Sequence, residues 1–260
     1  MDMSQYSNWH LAAFRTAAQA IGAVNVALTP VDDSILTVSG SGFITGLDAR
    51  AKFAFVHGVG MANARLNTPS LRRISIPSLQ PTQVVLAPAA NPQFPEFLGF
   101  EPNLPAVDPI SVESTNTDAG TQDHRAAIAL GFRESIAVPG PIWTVRGTGA
   151  IVQTATGWVN GALTLDQQLP AGRYAVVGGQ CIVANGWAWR LIFQGATWRP
   201  GGMSSVAAGT PGSDLFRKGR LGTWGTFDAF APPNLEIFGT GAGATQTVFL
   251  DIMPVGRGTY

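Results

Sequence analysis

Residues 34–44 read SILTVSGSGFI, and residues 141–151 read PIWTVRGTGAI. Aligned without a gap, the two stretches are identical at six positions: Ile35/Ile142, Thr37/Thr144, Val38/Val145, Gly40/Gly147, Gly42/Gly149 and Ile44/Ile151. The paired glycines are typical of a turn or bulge whose backbone favours glycine. The match predicts that one early strand and its glycine turn occur twice, 107 positions apart.

Two further pairs of segments follow in the same order. Residues 52–63 (KFAFVHGVGMAN) resemble residues 173–185 (RYAVVGGQCIVAN) once one position is gapped, and residues 110–122 (ISVESTNTDAGTQ) can be set against residues 235–246 (LEIFGTGAGATQ). Because the three pairs are collinear, they favour duplication over coincidence. A repeat of roughly 115 residues is too long for a solenoid, but it has the size of a β-sandwich with Greek-key or jelly-roll topology.

The rest of the sequence favours an all-β fold. Short β-branched or aromatic segments are bounded by Gly, Pro, Asp or Ser, as strands are. The 31 glycines and 18 prolines are scattered through a chain that is 45% hydrophobic, a composition that argues against disorder. We therefore predict two tandem jelly-roll β-sandwiches, over residues 25–133 and 134–260, with the boundary at FRESIAVPGP (132–141).

The N-terminal region predicts a short amphipathic helix within an arm of residues 1–24. Residues 4–22, SQYSNWHLAAFRTAAQAIG, are rich in alanine, the strongest helix former. Apolar side chains recur there at spacings of three and four, on one helical face: Leu11, Phe14, Ala18 and Ile21. This helix either packs on its own domain or docks on a neighbouring subunit or a membrane. In the second case the apolar contacts come from Trp9, Leu11, Phe14 and Ile21.

Patterns that carry catalysis or bind metals are not found in the sequence. His10, His57 and His124 are far apart and lie outside HxH, HxxH and HExxH patterns. The single cysteine, Cys181, lies in an apolar run typical of a buried side chain. GTGAGA (239–244) lacks the Lys-Ser/Thr of a phosphate loop, which favours a hairpin turn. Carboxylates near the Pro-rich residues 91–109 offer material for a glycosidase pair or a calcium site, but their spacing does not require one. We expect no enzymatic activity, no cofactor and no metal site.

Aromatic and basic residues of the second half supply further candidates for an interface. Four tryptophans cluster there: Trp187, Trp189, Trp198 and Trp224. Such a cluster can stack on sugars, but a role in the core or in a subunit interface is favoured. Arg217, Lys218 and Arg220 form a small basic group in a long loop, either solvated or paired with a neighbour. Trp198 and these three basic residues are predicted interface residues.

The charge balance limits the partners of the protein. The chain has 16 basic and 16 acidic residues, and the first 14 residues contain neither Lys nor Arg. Proteins that grip nucleic acid through its phosphates need a basic face or arm, so genome packaging by a basic tail is not expected. No apolar stretch reaches the about 20 residues of a membrane-spanning helix, and no signal peptide is visible. These features predict synthesis in a cytoplasm without export.

The chain resembles the double jelly-roll major capsid proteins of adenoviruses and of tailless icosahedral phages with an internal membrane. The resemblance rests on the repeated ILTVSGSGFI/IWTVRGTGAI segments, the strand after LPAGRYAVVGG, the closing TQTVFLDI and the predicted N-terminal helix. It implies a homotrimer of nearly sixfold outline that tiles an icosahedral shell after assembly in the host cytoplasm. It also implies contacts with vertex or minor capsid proteins and an N-terminal helix that faces an internal membrane, without sequence-specific binding of nucleic acid.

Two alternatives remain open at this point. One is a carbohydrate-binding or receptor-binding viral protein, such as a spike or lectin, which the tryptophan cluster favours. The other is a two-domain cupin-type enzyme. Cupins hold a metal with clustered histidines and a glutamate, and this sequence departs from that pattern at every such position.

Overall fold

A computed structural model describes residues 9–69, 96–97, 103–132, 140–205 and 216–255. These residues form β-strands and connecting turns, without an α-helix among them. Contacts divide the chain into two compact units. The N-terminal unit is Ala12–Phe132, and the C-terminal unit combines Met1–Leu11 with Arg133–Tyr260. The prediction of an all-β protein is confirmed.

The strands of the first half are β1 (Trp9–Gln19), β2 (Val26–Ala27), β3 (Thr29–Pro30), β4 (Thr37–Ser39), β5 (Gly42–Ile44), β6 (Ala49–His57), β7 (Met61–Asn67), β8 (Glu96–Phe97), β9 (Asn103–Leu104), β10 (Ser111–Asn116) and β11 (Gln122–Gly131). One sheet has the order β3-β1-β11-β6-β8, with β9 also paired to β6. A second sheet has the order β2-β10-β7, and β4 and β5 form a separate hairpin.

The strands of the second half are β12 (Trp143–Gly149), β13 (Val159–Gly161), β14 (Leu163–Leu165), β15 (Arg173–Val183), β16 (Gly186–Ile192), β17 (Gly201–Met203), β18 (Gly225–Asp228), β19 (Asn234–Gly239) and β20 (Gln246–Pro254). One sheet has the order β14-β12-β20-β15-β18, and the other has the order β13-β19-β16-β17. The neighbouring strands of both sheets run antiparallel.

The strand orders of the two units correspond. Taken along the chain, β1, β2, β3, β6, β7, β8, β10 and β11 hold the positions of β12, β13, β14, β15, β16, β18, β19 and β20. The strand β17 has no counterpart among the described residues, and residues 70–95 between β7 and β8 lie outside them. The hairpin β4–β5 has no counterpart among the described strands of the second half.

The core of the C-terminal unit lies between its two sheets. Trp189 of β16 reaches across to Gly179 of β15, where an added Cβ atom would lie 2.6 Å from the indole. Leu235 of β19 approaches Gly149 of β12 in the same way, at 3.2 Å from an added Cβ. Because side chains of one sheet touch the backbone of the other, the sheets pack face to face, as in β-sandwich proteins.

The predicted N-terminal helix is wrong over residues 9–19, which form β1; residues 4–8 of the prediction lie outside the described residues. The backbone of β1 is paired: the Leu11 N–H donates to the Arg199 carbonyl at 3.0 Å, and the Ala13 carbonyl accepts from the Val31 N–H at 2.9 Å. Helix propensity is a weak preference that tertiary pairing overrides. The side chains of Leu11 and Phe14, predicted to share one helical face, belong to different compact units.

The opening sequence match does not identify equivalent strands. Residues 34–44 contain the hairpin β4–β5, whereas residues 141–151 contain the sheet strand β12. The two aligned glycines are required for different reasons. Gly40 has a φ of +58° in the hairpin turn, a backbone conformation that favours glycine. Gly147 lies in β12, where an added Cβ would be 2.9 Å from the Thr164 carbonyl oxygen. The prediction that both stretches are one early strand and turn is therefore wrong, because glycine was required by two different geometries.

The later segment pairs do fall on strands that correspond. Residues 110–122 cover β10 and the start of β11, and residues 235–246 cover β19 and the start of β20. The shared Thr-Gln pair ends with Gln122 and Gln246, which are the first residues of β11 and β20. Residues 52–63 cover most of β6 and the start of β7, whereas residues 173–185 cover β15 and end just before β16.

Candidate functional site

The structure separates the predicted N-terminal interface residues. Trp9, Leu11 and Phe14 are core side chains with at most 1% of their surface exposed, whereas Ile21 is 62% exposed. Trp198 is half-buried. Three of the five apolar candidates are therefore covered by their own chain, and Ile21 is the one among the five whose side chain is mostly exposed.

Trp9 is a buried anchor of the C-terminal unit. Its ring meets that of Trp224 edge to face, with centroids 5.2 Å apart, and Trp224 in turn lies 5.5 Å from Trp189. All three indoles are almost completely buried. Aromatic pairs of this geometry add about 0.5–1.5 kcal/mol to the effect of burial alone. The first described residue of the chain thus completes the core of the unit that contains the second half of the sequence.

A buried ionic cluster lies next to this anchor, within the same unit. The Glu236 carboxylate accepts hydrogen bonds from Arg190 Nε and, at 2.7 Å, from Arg199 Nη1. Arg190 also donates to the Leu11 carbonyl at 2.9 Å and lies 4.0 Å above the Trp158 ring. Arg190 and Glu236 are 0% and 4% exposed. Because removal of one partner would leave an uncompensated buried charge, this cluster is sensitive to single substitutions.

His10 links the ionic cluster to the N-terminal strand. Its Nδ1 accepts a hydrogen bond from the Arg199 backbone N–H at 3.1 Å, and its Nε2 lies 3.4 Å from Arg190 Nη1. The imidazole also meets the Trp198 ring edge to face at 6.0 Å. The half-buried Trp198 therefore belongs to a layer that covers His10.

The basic loop of the second half contains a buried clamp. Arg217 binds the Asp251 carboxylate through Nε at 2.7 Å and Nη2 at 2.8 Å. The same carboxylate accepts from the Lys218 backbone N–H and the Thr144 hydroxyl, both at 2.7 Å. Burial opposes the charge of Asp251, but the hydrogen bonds from Arg217, Lys218 and Thr144 outweigh it and lower the pKa of the carboxyl group.

The clamp holds the loop directly against the sheet. An added Cβ on Gly178 of β15 would lie 2.7 Å from the Phe216 carbonyl oxygen and 2.9 Å from the Lys218 nitrogen. Of the three predicted basic residues, Arg217 is thus bound within its own chain, while Lys218 and Arg220 are exposed. Those two remain available to a partner.

The tryptophan cluster is largely a core feature. Trp187, Trp189 and Trp224 are each 0% exposed, so none offers a stacking face to a sugar. Among the described residues of this unit, Trp143, 42% exposed, and Phe230, 75% exposed, are the most exposed large aromatic side chains. The sequence pattern correctly favoured a core position for the tryptophan cluster, but it did not predict that Trp143 and Phe230 are exposed.

Exposed large apolar side chains occur in both units. In the described residues they are Ile21, Val24, Val26, Val38, Leu47, Val59, Val107, Ile142, Trp143, Val152 and Phe230. Single exposed apolar side chains are common on proteins, whereas grouped ones indicate interaction surfaces. Most of these exposed side chains were not predicted from the sequence, because they lie in turns. In a turn, no helical or strand periodicity indicates which side chains face solvent.

One group is held on an ordered turn after β1. This turn carries Ile21 and Val24, which are 62% and 64% exposed. Asn116 at the end of β10 fixes it: the side-chain Nδ2 donates to the Ala20 carbonyl at 3.2 Å, and the backbone N–H donates to the Ala23 carbonyl at 2.9 Å. The two apolar side chains are therefore presented outward by a turn that is tied to the sheet.

Three further side chains with catalytic potential are buried: Ser114, His124 and Cys181. Ser114 and His124 form a hydrogen-bonded pair at 3.0 Å, but both are 0% exposed. Burial raises the pKa of the Cys181 thiol, which disfavours the reactive thiolate. The described residues contain no group of three or more His, Cys, Asp or Glu placed to hold a metal ion. The described part of the chain also contains no helix long and apolar enough to span a membrane.

Comparison with known proteins gave no match to a family model, to a curated protein or to a solved structure.

Proposed function

We propose that this protein is the major capsid protein of a virus, in which three copies form a capsomer of nearly sixfold outline that tiles an icosahedral shell. The observation that carries the proposal is the repeated strand order of the two units. Two similar units in each chain give a trimer six similar parts, and six such parts suit a hexagonal lattice.

Each unit is proposed to be a jelly roll. Jelly rolls place eight antiparallel strands in two packed sheets, with the chain crossing between them. In the C-terminal unit β12, β14, β15, β18 and β20 lie in one sheet, and β13, β16, β17 and β19 lie in the other. The chain thus crosses between the sheets repeatedly. The described strands of the N-terminal unit follow the same order.

The sheet edges favour assembly through side chains. In the two larger sheets, the outer strands β3, β8, β14 and β18 have two, two, three and four residues. Among the described outer strands of the two smaller sheets, β7 is longer, with seven residues. Short edge strands discourage the addition of a further strand from another molecule. Exposed apolar residues such as Ile21, Val24 and Phe230 are suited to side-chain interfaces between copies. The partners we propose are therefore other copies of this chain and the minor proteins of a virion.

The proposal assigns the protein no catalytic role. Ser114 and His124 have the chemistry of a nucleophile and its base, but His124 uses both ring nitrogens in hydrogen bonds, to the Ser114 hydroxyl and to the Val59 carbonyl. Three of the four tryptophans that favoured the carbohydrate-binding alternative, Trp187, Trp189 and Trp224, are buried.

Native mass measurement tests the proposed trimer. We expect a species of three times the 27.2 kDa chain mass, and a shift towards monomer when Ile21→Asp and Val24→Asp are combined, because two charges would be buried in an apolar contact. Gln167→Asp, at an exposed polar position, controls for added charge. A monomeric wild-type protein at all concentrations would rule out the trimer, and a double variant that keeps the trimer would exclude this turn from the interface.

A further inference from the structure

Among the described residues, the most exposed large apolar side chain of each unit lies in a similar turn. In the N-terminal unit it is Val107, 77% exposed, and in the C-terminal unit it is Phe230, 75% exposed. Each of these residues follows an alanine and precedes a proline by two positions. The local sequences are AVDP at 106–109 and AFAP at 229–232.

The two turns, residues 105–108 and 228–231, close with the same backbone hydrogen bond. In each turn the N–H of the fourth residue donates to the carbonyl of the first, at 3.1 Å in the first turn and 2.9 Å in the second. This bond is typical of a closed β-turn. The exposed apolar residue is therefore the third of four residues in both cases. We call these two segments the apolar turns.

Each apolar turn is tied to the segment that leads into β6 or β15. In the N-terminal unit, the Ala106 carbonyl accepts from the Gly46 N–H at 3.0 Å, and the Ala106 N–H donates to the Asp48 carboxylate at 2.9 Å. In the C-terminal unit, the Ala229 N–H donates to the Gly172 carbonyl at 2.9 Å. Because β6 and β15 hold corresponding positions in their sheets, the two turns occupy equivalent places in the two units.

The chemistry of the apolar turns favours a protein as their partner. Residues 105–109 (PAVDP) and 228–233 (DAFAPP) each contain one aspartate and neither lysine nor arginine. Nucleic acids and anionic membranes bind basic surfaces, so the charge of these turns disfavours both. A turn that is already held by hydrogen bonds loses little conformational freedom when its apolar side chain is buried by a partner.

The presence of the same turn in both units favours other copies of this chain as that partner. A single partner molecule with one binding site would need only one of the two turns. Three copies with two similar units each present six equivalent turns, and a repeating assembly can use all six in the same way.

We propose that the two apolar turns are equivalent docking sites, each of which buries its exposed side chain against a neighbouring copy of this chain, a role that rests on the proposed assembly of copies into a shell. Val107 and Phe230 make the central apolar contact of each docking site.

Charge substitutions in the full-length protein, followed by light scattering over a range of protein concentrations, test the docking. Val107→Asp and Phe230→Asp should each raise the concentration at which half of the chains are assembled by about tenfold or more, because burial of a Val or Phe side chain contributes at least about that factor. The double variant should assemble less well than either single variant.

Val38→Asp is the matched control for these substitutions. Val38 is 50% exposed, but it lies in the hairpin β4–β5, which has no counterpart among the described strands of the C-terminal unit. We expect this variant to shift the half-assembly concentration by less than about twofold, as for a surface substitution outside a contact.

Thiol labelling measures the contact without an added charge. Cys181 is 0% exposed, so a cysteine introduced at the surface is the accessible thiol. At about ten times the half-assembly concentration, Val107→Cys and Phe230→Cys should react about tenfold more slowly than in the dissociated protein, because most chains are then docked. Val38→Cys should react at the same rate in both states.

The possible outcomes separate this docking from the proposed function. A wild-type protein that stays monomeric at all concentrations rejects both. A wild-type protein that assembles, with Val107→Asp and Phe230→Asp unaffected, excludes the apolar turns and leaves the trimer standing. An effect of one substitution without the other contradicts the equivalence of the turns. If the aspartate variants do not fold, the cysteine variants decide, and labelling rates that are equal before and after assembly overturn the proposal.

Discussion

Trp9→Ala is expected to destabilise the C-terminal unit, although position 9 lies at the opposite end of the sequence. Trp9 is 1% exposed and packs edge to face on Trp224 at 5.2 Å. Its removal opens a cavity between side chains of β1 and the segment before β18. The effect should therefore appear in the unit formed by Arg133–Tyr260.

The expected cost is about 3–5 kcal/mol, the range found for Trp or Phe truncated to Ala in a well-packed core. The lost edge-to-face contact of about 1 kcal/mol is included in that range. A helical arm with Trp9 on its surface would predict a much smaller loss, within about 0.5 kcal/mol. The two interpretations thus differ by several kcal/mol.

Denaturant unfolding followed by tryptophan fluorescence measures the difference, because Trp187, Trp189 and Trp224 are buried reporters of the C-terminal unit. Trp143→Ala is the matched control, since Trp143 is 42% exposed and should cost less than about 1 kcal/mol. A Trp9→Ala variant as stable as the Trp143→Ala variant would refute the assignment of Trp9 to the core of this unit.

Three further substitutions test the polar and backbone contacts. Glu236→Gln should cost about 3–5 kcal/mol in denaturant unfolding, because two arginines lose their buried anion; a loss below about 1 kcal/mol would contradict the buried cluster. Asp251→Asn should lower stability at neutral pH and flatten its decline below about pH 4, because hydrogen bonds from Arg217 lower the folded pKa of the native carboxyl group and its stabilising effect disappears as the pH falls through that value. Unfolding curves from pH 2 to pH 6 measure this, and parallel profiles for the variant and the wild type would speak against the clamp. Gly178→Ala should cost about 1–3 kcal/mol in thermal or denaturant unfolding, because its Cβ would lie 2.7 Å from a backbone oxygen. Gly157→Ala, where an added Cβ has open space, should change little, and equal stability of the two alanine variants would argue against a loop pressed on the sheet.

The all-β class could be predicted because short apolar segments between turn residues have few other solutions. The Thr-Gln pairs at Gln122 and Gln246 located corresponding strands, since both begin the last strand of a unit. The match between residues 34–44 and 141–151 gave a wrong prediction of equivalent strands. Glycine is needed for a hairpin turn in the first stretch and for close packing of β12 in the second. A local pattern does not distinguish these two needs.

The N-terminal strand and the ionic cluster could not be predicted from local patterns. The alanine-rich residues 9–19 have the propensity of a helix, and only pairing with partners far along the chain makes them a strand. The contact between His10 and Arg190 spans 180 positions. No spacing rule connects such residues, so their meeting is a result of the tertiary fold.

Electron microscopy of the purified, concentrated protein tests the proposal of a shell-forming capsid protein most directly. We expect trimeric capsomers of nearly sixfold outline that associate into closed shells or hexagonal arrays. Uniform monomers, without higher assemblies across protein concentration, salt and pH, would contradict it.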